Sequence, residues 1–243
     1  MLAKRLIKSN DAGGGACTNT VDLYNPFPDG GGVALYQLNG DATDESGNYN
    51  GTPTNVTYGT GVFGQASVFD IASQSQIQLP TGSPFDDSDT IKTISCWFKL
   101  TGSDSIRYFS ISDGGFNFFS LTATNNGIYY LVRNGASANQ LSANSLQTID
   151  NNWHHVAYVY DPNGIKIYLD GQEQTVSYTA SGTATNSSWI SYPAYSGTPI
   201  AYIGRSRQNS PTYSDGSIDQ VRIFSRALRP YEVEALYTEE YCT

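Results

Sequence analysis

Between residues 33 and 224 the chain is cut into short runs of alternating apolar and polar residues, each closed by glycine, asparagine, aspartate or proline. Successive side chains of a strand point to opposite faces, so this alternation marks half-buried strands rather than helices. The runs cover 33–38, 66–71, 76–79, 91–100, 107–112, 116–122, 127–132, 153–160, 165–169, 172–178, 201–204 and 217–224. In the fourth, Ile94, Cys96, Phe98 and Leu100 share a face; in the ninth, Ile165, Ile167 and Leu169 do. Hairpin turns are marked by Asp113-Gly114-Gly115, Asn125-Asn126-Gly127 and Asp161-Pro162-Asn163-Gly164. Tyr129 and Tyr130 are adjacent in one run, so one of them must leave the core. Many short strands at this spacing predict an all-β, two-sheet antiparallel jelly-roll sandwich. Such sandwiches run to this length as one domain, and 14% charged residues are too few for a disordered chain.

The two ends depart from the strand rhythm. Residues 230–237 form one short helix: Pro230 suits a first turn, and Val233, Leu236 and Tyr237 make an apolar stripe. Residues 1–31 have no period that could bury a face, so they form an extended arm ahead of a domain at 32–243. The arm carries the one basic cluster, Lys4, Arg5 and Lys8. With Phe27 these residues are expected to anchor it to other proteins of an assembly, or to further copies of the chain, as in a homotrimer. The charged start is not followed by the apolar stretch of an export signal, and no run approaches the ~18 apolar residues of a membrane span. The expectation is synthesis in a cytoplasm without membrane insertion.

A formal charge of −9 sets the surface against nucleic acid phosphates. The three cysteines, Cys17, Cys96 and Cys242, lack the spacing of a metal quartet. Cys96 sits in an alternating run as a small buried hydrophobe. Cys17 and Cys242 are either free thiols or a disulfide joining the two ends.

Catalysis finds no support in the residues. Glycosidases need two carboxylates flanking the scissile bond, and Glu45, Glu173, Glu232, Glu234, Glu239 and Glu240 lie in or beside turns or in the C-terminal stretch. His154 and His155 are adjacent on a strand and face opposite ways, so they cannot share a metal. Residues 41–51 crowd oxygen-bearing side chains around Gly47, which suits either a calcium ion or a loop capping its own amides. Glycan binding needs aromatic faces beside polar groups. Trp189, Tyr192, Tyr195 and Tyr213, with Arg205 nearby, offer them; Trp97 and Trp153 are expected in the core.

Six separated motifs fall in one order: Leu35-Tyr36-Gln37-Leu38 with the loop after it, Gly61-Val62-Phe63-Gly64-Gln65-Ala66, Thr93-Ile94-Ser95-Cys96-Trp97-Phe98-Lys99, Trp153-His154-His155-Val156-Ala157 with Tyr168-Leu169-Asp170-Gly171, Ile203-Gly204-Arg205-Ser206, and Gly216-Ser217-Ile218-Asp219-Gln220-Val221-Arg222-Ile223-Phe224 running into Ser225-Arg226-Ala227-Leu228. Together they resemble the laminin-G-like branch of the concanavalin A-like lectin/glucanase superfamily over residues 33–240. The resemblance implies a two-sheet jelly roll used mainly for binding. It also implies a calcium near the 41–51 loop, with Asp41, Asp44, Asn50 and Asp219 as candidate ligands.

The expected function is non-catalytic binding or adhesion. On one reading the chain is a phage virion appendage or capsid decoration protein, held by its arm and presenting a glycan-binding face. On the alternative it is a secreted or cell-surface carbohydrate-binding module.

Overall fold

The computed structural model describes residues 27, 31–82, 91–101, 105–114, 117–135, 139–161, 163–181, 195, 197–206 and 212–238. In chain order the strands are β1 (Gly32–Tyr36), β2 (Thr52–Thr54), β3 (Thr57–Thr60), β4 (Gln65–Phe69), β5 (Gln76–Gln78), β6 (Thr93–Leu100), β7 (Ser105–Ser112), β8 (Phe118–Thr124) and β9 (Gly127–Asn134). They continue as β10 (Asn139–Leu146), β11 (Trp153–Asp161), β12 (Gly164–Leu169), β13 (Gln172–Glu173), β14 (Ser177–Ser181), β15 (Ile200–Ile203), β16 (Arg205–Ser206), β17 (Thr212–Tyr213) and β18 (Gly216–Phe224). Helix α1 (Pro230–Tyr237) follows.

Two eight-stranded antiparallel sheets form the sandwich. The first runs β13-β12-β11-β6-β18-β4-β3, with β1 also paired to β18; the second runs β14-β10-β9-β8-β7-β15-β5-β2. The expected jelly roll is what the chain forms. Its core lies between the sheets, where isoleucine, leucine and valine side chains pack around a set of aromatic rings. Phe98 of the first sheet meets Tyr108 of the second with ring centroids 4.9 Å apart. The Tyr158 hydroxyl crosses the layer to the carbonyl oxygens of Thr122 and Tyr129, each at 3.4 Å. Tyr130 is fully buried and Tyr129 faces outward, half-buried, as their adjacency requires.

Helix α1 covers part of the outer face of the first sheet. Val233 and Leu236 pack with Ala157, Val159, Tyr168 and Phe224 in a second, smaller apolar cluster. Glu232 fixes the helix start, accepting the Arg229 amide (2.8 Å) and pairing with Arg226 (2.8 Å). Among the described residues no helix is long and apolar enough to cross a membrane.

Three parts of the pattern differ from the sequence reading. The run at 172–178 is two strands, since β13 stays in the first sheet and β14 pairs with β10 in the second. Strand β10 is unexpected from its sequence because only Leu141 and Ala143 bring apolar bulk to the core. Strands β2 and β3 are short edge strands with largely exposed residues, so hydrophobic alternation does not mark them. Of the tryptophans, Trp97 is buried on the outer face of the first sheet, stacked on Tyr237 (5.6 Å), and not between the sheets. Trp153 is only half-buried.

Candidate functional site

The outer face of the second sheet is built by parity. In β15, Ala201 and Ile203 are buried in the core, which turns Tyr202 outward; in β5, Ile77 does the same for Gln76 and Gln78. The ladder then places Tyr202 opposite Gln78 on one side and Ser110 on the other. Gly204, at φ +81°, redirects the chain out of β15 into the two-stranded ribbon β16–β17. A side chain there would start 2.1 Å from the Phe69 ring, so only glycine fits.

That ribbon presents Arg205 directly opposite Tyr213. The Arg205 guanidinium lies 4.9 Å from the Tyr202 ring centre and 5.2 Å from that of Tyr213, a cation–π sandwich. Its Nη1 donates to Gln76 Oε1 at 2.5 Å. Its Nε is buried with no hydrogen-bond partner among the described residues. The Ser110 hydroxyl holds the Arg205 carbonyl at 2.6 Å. A second arginine meets the same ribbon: Arg107 Nη1 donates to the Tyr213 carbonyl and to Ser105 Oγ, both at 2.9 Å. Burial pushes the Arg107 pKa down. Both guanidiniums are thus held by neutral oxygens.

Of the aromatic set expected to bind glycan, Arg205 and Tyr213 come together here. Tyr195 does not join them as an exposed face. It packs against the core with its hydroxyl buried, and burial, helped by the Asp113 carboxylate, pushes its pKa up. Trp189 and Tyr192 lie outside the described residues, as do Lys4, Arg5 and Lys8 of the arm and the cysteines Cys17 and Cys242. Phe27 is half-buried in a turn. The sequence reading missed Tyr202, Gln76 and Arg107. The outward parity of Tyr202 and Gln76 was legible; their meeting across some 126 residues was not.

The expected calcium set is not one site. Asp41 is exposed and its Oδ1 caps the Thr43 amide at 2.9 Å. Asp44 is buried: its Oδ1 accepts the Leu35 amide (2.9 Å) and the Ser46 amide (3.2 Å). Its Oδ2 takes the Tyr49 amide (3.1 Å) and the Ser46 hydroxyl. Four donors use the roughly four acceptor positions of a carboxylate. Asn50 Oδ1 accepts the Asp44 amide at 2.9 Å. Asp219 serves a different loop, its Oδ2 accepting the Val62 and Phe63 amides at 2.8 and 2.9 Å. Among the described residues no three His, Cys, Asp or Glu side chains gather as a metal site. The loop caps its own backbone, and as placed these four residues do not fit one calcium ion.

The two histidines face opposite ways, as adjacent strand residues must. His154 lies tilted against Phe98, 5.7 Å between ring centres, and is clamped between Asp170 (2.8 Å) and Asp150 (3.0 Å), which raise its pKa. His155 lies 5.4 Å from the Trp97 ring, and burial drops its pKa to about 3, so it is neutral. Cys96 is a buried free thiol whose pKa burial pushes up.

A laminin-G family model, described as the concanavalin A-like lectin/glucanases superfamily, matches residues 72–234. The chain belongs to that superfamily. Solved structures share its fold over much of the chain. Domain 4 of AbnA, a GH43 extracellular arabinanase from Geobacillus stearothermophilus in complex with arabinotriose, is 24% identical with a TM-score of 0.54, covering 84% of this chain and 97% of that domain. The CBM40 of the Ruminococcus gnavus IT-sialidase is 18% identical with a TM-score of 0.51, covering 62% and 85%. The binding domain of botulinum neurotoxin serotype C1 is 15% identical with a TM-score of 0.58, covering 86% of this chain and 52% of that one. A search of the curated proteins finds no match.

Proposed function

We propose that this jelly roll is a non-catalytic carbohydrate-binding module whose ligand lies against Arg205 and Tyr213 on the outer face of the second sheet, with the buried Tyr202 ring backing the guanidinium. The observation that carries the reading is the Arg205–Tyr213 pair: both are half-buried at the surface, and the guanidinium is held in place by the buried Tyr202 ring and by Gln76. A sugar hydroxyl or carboxylate can accept from the exposed edge of the guanidinium, a charge-assisted bond, while the ring C–H groups lie on Tyr213. The arabinanase domain holding arabinotriose supports a sugar as the partner class.

The non-catalytic half is supported by composition. Glycosidases place two carboxyl groups about 5–9.5 Å apart across the bond they cut. None of the eight strands of the second sheet contains an aspartate or glutamate. A glycan array followed by calorimetry tests the reading. Arg205→Ala is expected to weaken the best array ligand about tenfold or more, the effect of losing a charged hydrogen bond, with the melting temperature little changed. An array with no bound glycan, or a ligand indifferent to Arg205→Ala and Tyr213→Ala, would sink it.

A further inference from the structure

A second recess lies where the two sheets meet at their edges, away from the Arg205 ribbon. Residues 174–176 carry the chain from β13 in the first sheet to β14 in the second, and the crossing opens a cleft of about 210 Å³. One wall is Tyr178 of β14, whose hydroxyl donates to the Ile165 carbonyl of β12 at 2.5 Å. That bond ties the sheets together and fixes the ring, which remains 37% exposed. The other wall carries Asp161, Lys166 and Glu173, with Asn163, Gln174 and Val176 completing the lining.

The polar groups are held but not used up. Lys166 Nζ sits 3.9 Å from Asp161 and 3.7 Å from Glu173, beyond hydrogen-bond distance from both. Asp161 Oδ1 accepts the Asn163 amide at 2.7 Å and Glu173 Oε2 accepts the Tyr168 hydroxyl at 3.1 Å, which leaves each carboxylate further acceptor positions and the ammonium its donors. Both carboxylates are close enough to Tyr178 to join burial in raising its pKa. Fixed aromatic face, paired acceptors, one cationic donor and amide groups around a small recess are what a sugar ring requires. Sites for drug-sized ligands run about 300–1,000 Å³, so this one suits a single ring. Two carboxylates against one ammonium make it repel anionic sugars.

We propose that the Tyr178 cleft is a separate binding site for one neutral pyranose ring, with Tyr178 as its platform and Asp161 and Glu173 as acceptors for ring hydroxyls. It stands independently of the Arg205 site, and the test is run in the Arg205→Ala protein so that failure of one is not failure of the other. Methyl glucoside, methyl galactoside, N-acetylglucosamine and sialic acid are titrated at millimolar concentration, following ligand saturation-transfer signals and backbone shifts of 161–178. At least one neutral sugar is expected to shift these residues, and Tyr178→Ala or Glu173→Gln to weaken it about tenfold. Tyr178→Phe keeps the platform and controls for loss of the Ile165 bond: it should retain most of the binding. No neutral sugar bound, binding unaffected by Tyr178→Ala and Glu173→Gln, or sialic acid preferred would each overturn the proposal.

Discussion

Asp219 shows how one buried side chain can set the pH response of the fold. Its carboxylate anchors the 61–64 loop through the Val62 and Phe63 amides, yet burial outweighs those bonds and the nearby Arg222, raising its pKa to about 6. A raised folded-state pKa means the folded form holds the proton more tightly. The stability this contributes is therefore complete below the unfolded value near 3.8 and is lost as pH rises through about 6. His155 works in the opposite sense: its pKa of about 3 makes the fold lose stability as pH drops below the unfolded value near 6.5. Asp219→Asn keeps an oxygen for the two amides and removes the charge. Melting curves from pH 4 to 7 should show the variant gaining on the wild type as pH rises, on the order of 2–3 kcal/mol over the window. A constant gap between the two proteins would mean the carboxyl is not destabilised by burial.

At the scale of elements, the short ribbon β16–β17 exists because Gly204 lets the chain turn. Gly204→Ala adds a methyl where the Phe69 ring already lies and forces an alanine to a left-handed backbone. Overpacking and backbone strain together should cost on the order of 2–4 kcal/mol in chemical denaturation. The same change should weaken glycan binding, because Arg205 is the next residue. Hairpins were legible where the turn chemistry was strong. The chain reverses at Asn125-Asn126, and Gly127 pairs with Thr124 as the turn signal requires. Strand β10 was not legible, because Ser145 breaks the apolar series on its inward face and the apolar Leu146 stands exposed on the other. The helix was legible throughout, since its stripe and its Pro230 start are local features.

For the whole molecule, the loops at 41–51 and 61–64 are tied to the sandwich by carboxylate-to-amide hydrogen bonds. Asp44 pins the first to Leu35 of β1, and Asp219 pins the second to β18. These bonds close both loops through the chain's own groups. Chelator is expected to leave the melting temperature unchanged, as scanning calorimetry with and without EDTA would check. A clear drop would mean that calcium displaces these donors in solution.

What the amino-acid order determined by itself was whatever depends on neighbours in sequence: the strand periods, most hairpins, the helix, the buried Cys96, and the opposite facing of His154 and His155. The ordered motifs carried the superfamily as well. Tertiary structure decided which side chains share a surface. Tyr202, Arg205, Gln76 and Arg107 meet only because β7, β15 and β5 pair side by side from distant parts of the chain. The Tyr178 cleft exists only because the chain changes sheets between Glu173 and Ser177. Asp44 looked like a metal ligand in sequence and became a backbone cap, because burial surrounds it with amide and hydroxyl donors before any ion is considered. Local periodicity encodes which face a residue takes; it holds no record of what the opposite strand brings to that face.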